Sequence, residues 1–150
     1  MDRVDRNILA ELQIDGRLSV TDLAERVGLS LSPCHRRVKA LEDSGIIREY
    51  RARLEPAKLG LNFSAIVFVT LKEGDKRAVK EFEEAVKEIP NILMAQRLFG
   101  DPDYLLQIVT RDLSAFQELY DEQLSGLPSV RRLVSTLVMK TIIHDRPLPL

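Results

Sequence analysis

Apolar positions in the first third of the chain recur every three or four residues, and glycine cuts each run. In VDRNILAELQ, Val4, Ile8, Leu9 and Leu12 share one helical face, and Gly16 ends the run. SVTDLAERVG repeats the pattern with Val20, Leu23, Ala24 and Val27. There Ser19 and Asp22 have capping-box spacing, and Gly28 is the terminator. SLSPCHRRVKALEDSG predicts a third helix, with Ser30 or Ser32 as N-cap, Pro33 tolerated in the first turn and Gly45 at the end. IIREYRARL then reads as a short β-hairpin.

EPAKLGLN, residues 55–62, breaks regular structure at Pro56 and Gly60 and marks a hinge. Beyond it the period changes. FSAIVFVTLK reads as a strand, and DKRAVKEFEEAVKEIP as a helix on Val79, Phe82, Val86 and Ile89. NILMAQRLF and YLLQIVT are strands around a tight GDPD loop. DLSAFQELYDEQLSGLP is a helix on Leu113, Phe116, Leu119 and Leu124, and VRRLVSTLVMKTII is the last strand. The order βαββαβ predicts a ferredoxin-like sandwich. The fold class is α+β, with a helix-turn-helix unit over 1–54, the hinge, and the sandwich over 63–150.

Two helices cover one face of such a sheet, so the other face should alternate to polar residues. It does not. Phe63, Ala65, Val67, Val69 and Leu71 fall on one side of the first strand, with Ile66 and Phe68 on the other. In the last strand Leu133, Leu137, Met139 and Ile143 oppose Val134, Val138 and Ile142. A sheet apolar on both faces needs a second cover, and another copy of itself is the economical one. The sandwich is therefore expected to be a dimerisation module.

Composition narrows the classes. With 45% hydrophobic and 30% charged residues over 150 positions, this is a folded chain. A single cysteine, Cys34, excludes an intrachain disulfide and a multi-cysteine zinc site, and suits a reducing cytoplasm. The N-terminal residues mix acids, bases and apolar residues, unlike a signal peptide, and no uncharged run approaches the ~18 residues of a membrane span. Net charge is −1, but residues 30–53 carry a local +3 (Arg36, Arg37, Lys39, Arg48, Arg51 and Arg53 against Glu42, Asp43 and Glu49). Any anion-binding surface should be local too.

Cys34 beside His35 raises the question of a thiol dyad or half a metal site. At ~100° per residue Cys34, Val38 and Leu41 form one inward stripe, and His35 lies about a quarter-turn away. Helix neighbours do not converge on one point, so they make a poor dyad and a poor chelate. Cys34 reads as a small buried hydrophobe, with a redox-sensing thiol as the alternative. Opposite the stripe lie Arg36 and Lys39, flanked by His35 and Arg37. A solvated face is the bland reading. A tight GLS turn before the helix, basic residues toward its N-terminal half and arginines after it favour DNA.

These features together resemble the Lrp/AsnC (feast/famine) family of prokaryotic transcription regulators, over nearly the whole chain. DRVDRNILAELQIDGR, LAERVGLSLSPCHRRVKALEDSGII, LFGDPDYLLQIVT and DLSAFQELY carry the resemblance. It implies a winged helix-turn-helix joined to a RAM- or ACT-like domain that binds free amino acids and forms dimers, often tetramers or octamers. By that resemblance Ser30, Ser32, Pro33, His35, Arg36 and Lys39 form the recognition surface; the segment after the helix, by its own residues, adds Arg48, Arg51 and Arg53, placed like a wing against phosphates. Gly100, Asp101, Asp103 and Tyr104 match the effector loop, with Arg97, Thr136 and Val138 at neighbouring pocket positions. Gly100 suits a turn with exposed backbone N–H groups for an α-carboxylate, Asp103 an α-ammonium acceptor, and Tyr104 a pocket wall. An ordinary hairpin turn is the rival reading of GDPD. Arg97 departs from the smaller or apolar residue common there, which favours an acidic or polar effector or a narrowed pocket.

No nucleophile motif, phosphate loop or metal spacing accompanies the titratable groups, so an enzyme is not expected, nor any cofactor beyond an amino-acid effector. The expected function is an effector-modulated, DNA-binding regulator in the cytoplasm. An architectural, nucleoid-associated protein that wraps DNA with little sequence preference is the alternative.

Overall fold

Asp2 opens the first helix, α1 (Arg3–Ile14), through a reciprocal cap. The Asp5 N–H donates to Asp2 Oδ1 at 2.9 Å, and the Asp2 N–H donates to Asp5 Oδ2 at 3.0 Å. Helix α2 (Val20–Val27) starts at Ser19, whose Oγ accepts from the Asp22 N–H and donates to the Asp22 carboxylate at 2.6 Å. The complete capping box is thus at α1, not at Ser19. Gly28 closes α2 at φ 69°, a left-handed conformation that costs glycine little. Helix α3 (Leu31–Asp43) has Ser30 as N-cap without a side-chain cap bond, and Pro33 sits in the first turn, where no intrahelical donor is needed.

The computed structural model describes residues 1–72 and 74–150, which divide into two units: Met1–Arg53 with Ile142–Leu150, and Leu54–Thr141. In the first unit, Ile8, Leu9, Leu23, Ala24, Cys34, Val38 and Leu41 form the core, so the apolar stripes pack as their spacing predicts. The expected β-hairpin over IIREYRARL is not present as strands. The Ile47 N–H folds back onto Leu41 O at 3.1 Å, and Tyr50 Oη donates to Glu42 at 3.1 Å. A two-stranded ribbon alone is marginal in water, and here side-chain contacts hold the segment instead. The expected last strand, residues 130–143, is also shorter, because residues 142–150 turn back to join the first unit.

In the second unit, β1 (Phe63–Leu71), α4 (Lys76–Lys87), β2 (Ile92–Arg97), β3 (Tyr104–Thr110), α5 (Leu113–Leu119) and β4 (Val130–Leu137) build a sheet of order β2-β3-β1-β4. Each strand pair is antiparallel, the ferredoxin-like arrangement. Asp75 and Asp112 cap α4 and α5 with bonds of 2.7 and 2.8 Å. Val79, Phe82 and Val86 of α4 pack with Phe116 and Leu119 of α5 onto Val67, Val69, Leu106 and Ile108. Leu113 does not join them and is 58% exposed. A π turn over Tyr120–Leu124 follows α5. Five residues of straight α-helix would rotate Leu124 ~140° from Leu119, and the wider turn lets both be buried.

Strand register defines the two sheet faces, because directly opposed residues share a face. Arg97, Tyr104, Val69 and Leu133 form one row under the helices. On the other face lie the rows Met94, Gln107, Ile66, Thr136 and Gln96, Leu105, Phe68, Val134. Among the described residues no helix packs there, yet Met94, Ile66, Leu105, Phe68 and Val134 are apolar. Among the described residues no helix is long and apolar enough to cross a membrane.

Candidate DNA-binding and ligand-binding surfaces

Cys34, Val38 and Leu41 anchor one side of α3 in the core, and this turns Ser32, His35, Arg36 and Lys39 to solvent. The three neighbouring cations of α3, Arg36, Arg37 and Lys39, then separate into different roles. Arg37 turns back to α1, its Nη1 donating to Asp5 at 2.7 Å and to Asp2 at 2.8 Å. The Asp5 and Asp2 carboxylates push the Arg37 pKa further up, and the cap bond from Asp5 together with Arg37 holds Asp2 below the usual carboxylate range. Lys39 bonds Asp43 at 2.9 Å one turn on, and this bond raises its pKa. Among the described residues no carboxylate pairs with Arg36 or with Arg48, while Arg51 meets Glu49 at 3.3 Å. Ser30 and Arg48 are exposed, and Pro33 is half-buried at the start of α3.

Burial pushes the Cys34 thiol up, away from the thiolate, and the residue is fully buried. Core packing, rather than reactivity, accounts for it. Among the described residues no three His, Cys, Asp or Glu side chains gather as a metal site.

The loop between β2 and β3 is tied down at both ends. The Leu98 N–H donates to Asp103 O at 2.7 Å, and the Asp103 N–H donates to Val69 O at 2.9 Å. Asp103 Oδ2 accepts from the Leu71 N–H at 2.8 Å, so this carboxylate fastens the loop to the end of β1. Gly100 has φ 132°, open only to glycine at low cost, and Asp101 projects to solvent with Oδ1 3.4 Å from Thr70 Oγ1. Sequence reasoning missed Thr70, which only the register brings to the loop.

Tyr104 is not the wall of an open pocket. It is 3% exposed, its ring centroid 4.6 Å from Phe82, and Oη donates to Glu83 of α4 at 2.8 Å. Burial first, then the Glu83 carboxylate, pushes its phenol up to about 12. Alternation along β3 decides this: Asp103 and Tyr104 must point to opposite faces. Glu83 gave no sequence signal, since its role needs α4 docked on β3. Arg97, Thr136 and Val138 are not gathered in one protomer either. Arg97 lies on the helix-covered face at the β2 edge, and Thr136 lies on the open face at the β4 edge, ~14 Å of strand spacing away. The half-buried Val138 donates its N–H to Ser64 O at 3.0 Å, just past the end of β4.

A three-helix unit that presents a basic helix, followed by an antiparallel α/β sandwich, defines a two-domain DNA-binding regulator. Residues 1–48 match the family model for winged helix-turn-helix DNA-binding, and residues 64–148 match that for the Lrp/AsnC ligand binding domain. The chain is similar to the leucine-responsive regulatory protein of Escherichia coli K12, 41% identical over 142 residues that span 95% of this chain and 87% of the relative. It is 38% identical to the proline dehydrogenase transcriptional activator of Rhodobacter capsulatus over 97% of this chain and 94% of that one. Among solved structures, a transcriptional regulator of Neisseria meningitidis in complex with L-methionine superposes with a TM-score of 0.94 at 40% identity, covering 99% of this chain and 96% of the other. An AsnC family regulator from Agrobacterium tumefaciens gives 0.93 at 37%, with 99% and 97% covered.

The chain belongs to the Lrp/AsnC family of transcriptional regulators. It is a regulator, not an enzyme, with a helix-turn-helix for DNA and an amino-acid ligand-binding domain.

Proposed function

We propose that the chain acts as a symmetric homodimer in the cytoplasm, setting two copies of α3 in successive major grooves of an operator. The carrying observation is the division of labour on α3. Arg37 is spent on α1, whereas His35 and Arg36 stand exposed beside Lys39 on the face opposite the core. Arg36 is free for a base edge or a phosphate, and Lys39 becomes available when phosphate replaces Asp43. Arg48 and Arg51 flank the helix and supply phosphate contacts. The apolar rows on the open sheet face supply the dimer contact, and pairing of dimers into larger rings follows from the same family build.

In this reading a free amino acid binds at residues 100–103, between subunits, and shifts assembly or DNA affinity. The Gly100 turn and the exposed Asp101 beside Thr70 support it. Asp103 organises the loop, and Arg97 stands at the loop's entry from β2. Thr136 and Val138 belong to the site only if a second protomer brings its β4 to this loop, since one protomer holds them apart. L-methionine, the ligand in the Neisseria structure, is the first compound to test, with L-leucine and L-glutamate beside it.

Selection of bound genomic fragments, with and without 10-fold steps of these amino acids, tests the whole reading. Enrichment of fragments with two half-sites one or more helical turns apart supports it. Equal retention of random DNA favours the architectural alternative, and a fragment set unmoved by every amino acid removes the effector role.

A further inference from the structure

The last nine residues form part of the DNA-binding unit although they follow the last strand of the sandwich. The chain therefore crosses between the units twice, at Arg53/Leu54 and again at Thr141/Ile142. Specific contacts hold the returning tail. The Leu148 N–H donates to Gln13 Oε1 at 2.6 Å and Gln13 Nε2 donates to Leu148 O at 3.2 Å, so one amide side chain on α1 reads both backbone groups of one tail residue. Arg53 donates to His144 O at 3.3 Å and Asp145 O at 3.4 Å, and its other contact is the Asp145 carboxylate at 3.4 Å.

The docked tail forms one wall of a groove of about 780 Å³, with Asp145, Arg146 and Pro147 facing Leu12, Gly16 and Tyr50. A Cβ at Gly16 would lie 3.4 Å from the Tyr50 ring, about van der Waals contact. An adjoining apolar recess brings Leu9, Ile46 and Ile47 together with Leu148 and Leu150. Pro147 and Pro149 hold the RPLPL tail extended and lower the entropy lost when it docks. Leu148 stays 72% exposed and Leu150 48%, so the Gln13 bonds to the Leu148 backbone and the Arg53 contacts carry the docking.

We propose that the chain's own C-terminal tail, held by Gln13 and Arg53, works as a strap that gives the DNA-binding unit a second tether to the ligand-binding domain. With the strap docked, both crossings leave from one place, because Arg53 holds residues 144 and 145 beside itself. A unit held at two points has fewer orientations to lose when two such units meet two half-sites. The strap thus favours paired half-sites without touching DNA. Four residues, 138–141, connect β4, the strand that bears Thr136, to the docked segment. The DNA consequence rests on the reading of α3 given above, whereas the docking itself does not.

Hydrogen exchange and DNA binding test it on the full-length protein, Gln13→Ala and a chain ending at Thr141. Alanine is a good helix former, so Gln13→Ala keeps α1. The Leu148 amide is expected to exchange at least about ten-fold more slowly than in the free nonapeptide, and to return to the peptide rate in Gln13→Ala. For a selected two-half-site fragment against its bisected half, the affinity ratio should fall about ten-fold in both variants, with half-site affinity kept. Free-peptide exchange of Leu148 in the wild type, or an unchanged ratio in both variants, overturns the strap. A wild type that binds no fragment defeats the DNA reading instead, and the exchange rates then decide the docking alone.

Discussion

Arg37 of α3 donates to the Asp5 carboxylate of α1 at 2.7 Å, and this contact takes out of DNA recognition a cation that sits next in sequence to Arg36. The two arginines should therefore separate cleanly on substitution. Arg36→Ala is expected to weaken operator binding about ten-fold or more with thermal unfolding unchanged. Arg37→Ala should lower the unfolding temperature and affect DNA only through that loss. Gel shifts and calorimetric melting on the same preparations decide it; equal DNA affinity for Arg36→Ala and wild type removes α3 as the reading helix.

The Tyr104 phenol is held protonated by the core and Glu83. A folded value near 12 above the unfolded value of ~10 means that folding favours the protonated form. Its contribution is full below pH ~10 and is lost as pH rises through about 12. Denaturant unfolding across that window should show the decline, and Tyr104→Phe should cost about 1 kcal/mol at neutral pH while flattening the alkaline fall. An equal alkaline slope in Tyr104→Phe would place the titration elsewhere.

Phe68 and Val134 stand side by side on the sheet face that no helix covers. Phe68→Asp puts a charge at the centre of that surface and should yield monomers where the wild type sediments as a dimer. Far-ultraviolet circular dichroism should stay unchanged. A Phe68→Asp dimer of wild-type stability moves the interface to another surface.

Asp101 and Gly100 offer the test of the loop. Asp101→Ala should abolish the calorimetric heat of the amino acid that wild type binds, and leave DNA affinity without effector unchanged. Gly100→Ala should weaken it too, because φ 132° is strained for any residue with a Cβ. Retained effector binding in both variants argues that the pocket lies elsewhere.

The Cys34 thiol lies in the first unit's core with its pKa raised by burial. Its modification by an aromatic disulfide reagent should run no faster than that unit opens, and denaturant should release it. Rapid reaction of the native protein would restore the redox-sensor reading.

Much of this protein is legible from period and punctuation. Residue spacing alone places Cys34, Val38 and Leu41 on the inward stripe of α3, and alternation alone shows that β1 has two apolar faces. Both follow from geometry local to one element. The family is legible too, through motifs that lie within short runs of the chain.

What needed the tertiary structure is everything set by pairing between distant segments. Alternation shows that Asp103 and Tyr104 diverge, but only the docking of α4 says which of them meets solvent. Arg36 and Arg37 are equivalent in composition until α1 offers Asp5 to one of them. Arg97 and Thr136 look like members of one pocket until sheet order sends them to opposite edges. Residues 138–143 read as a continuation of the last strand, whereas β4 ends at Leu137 and residues 142–150 join the first unit, where Gln13 and Arg53 bond them. Contacts across large sequence separations carry no local signature, so the fold alone decides them.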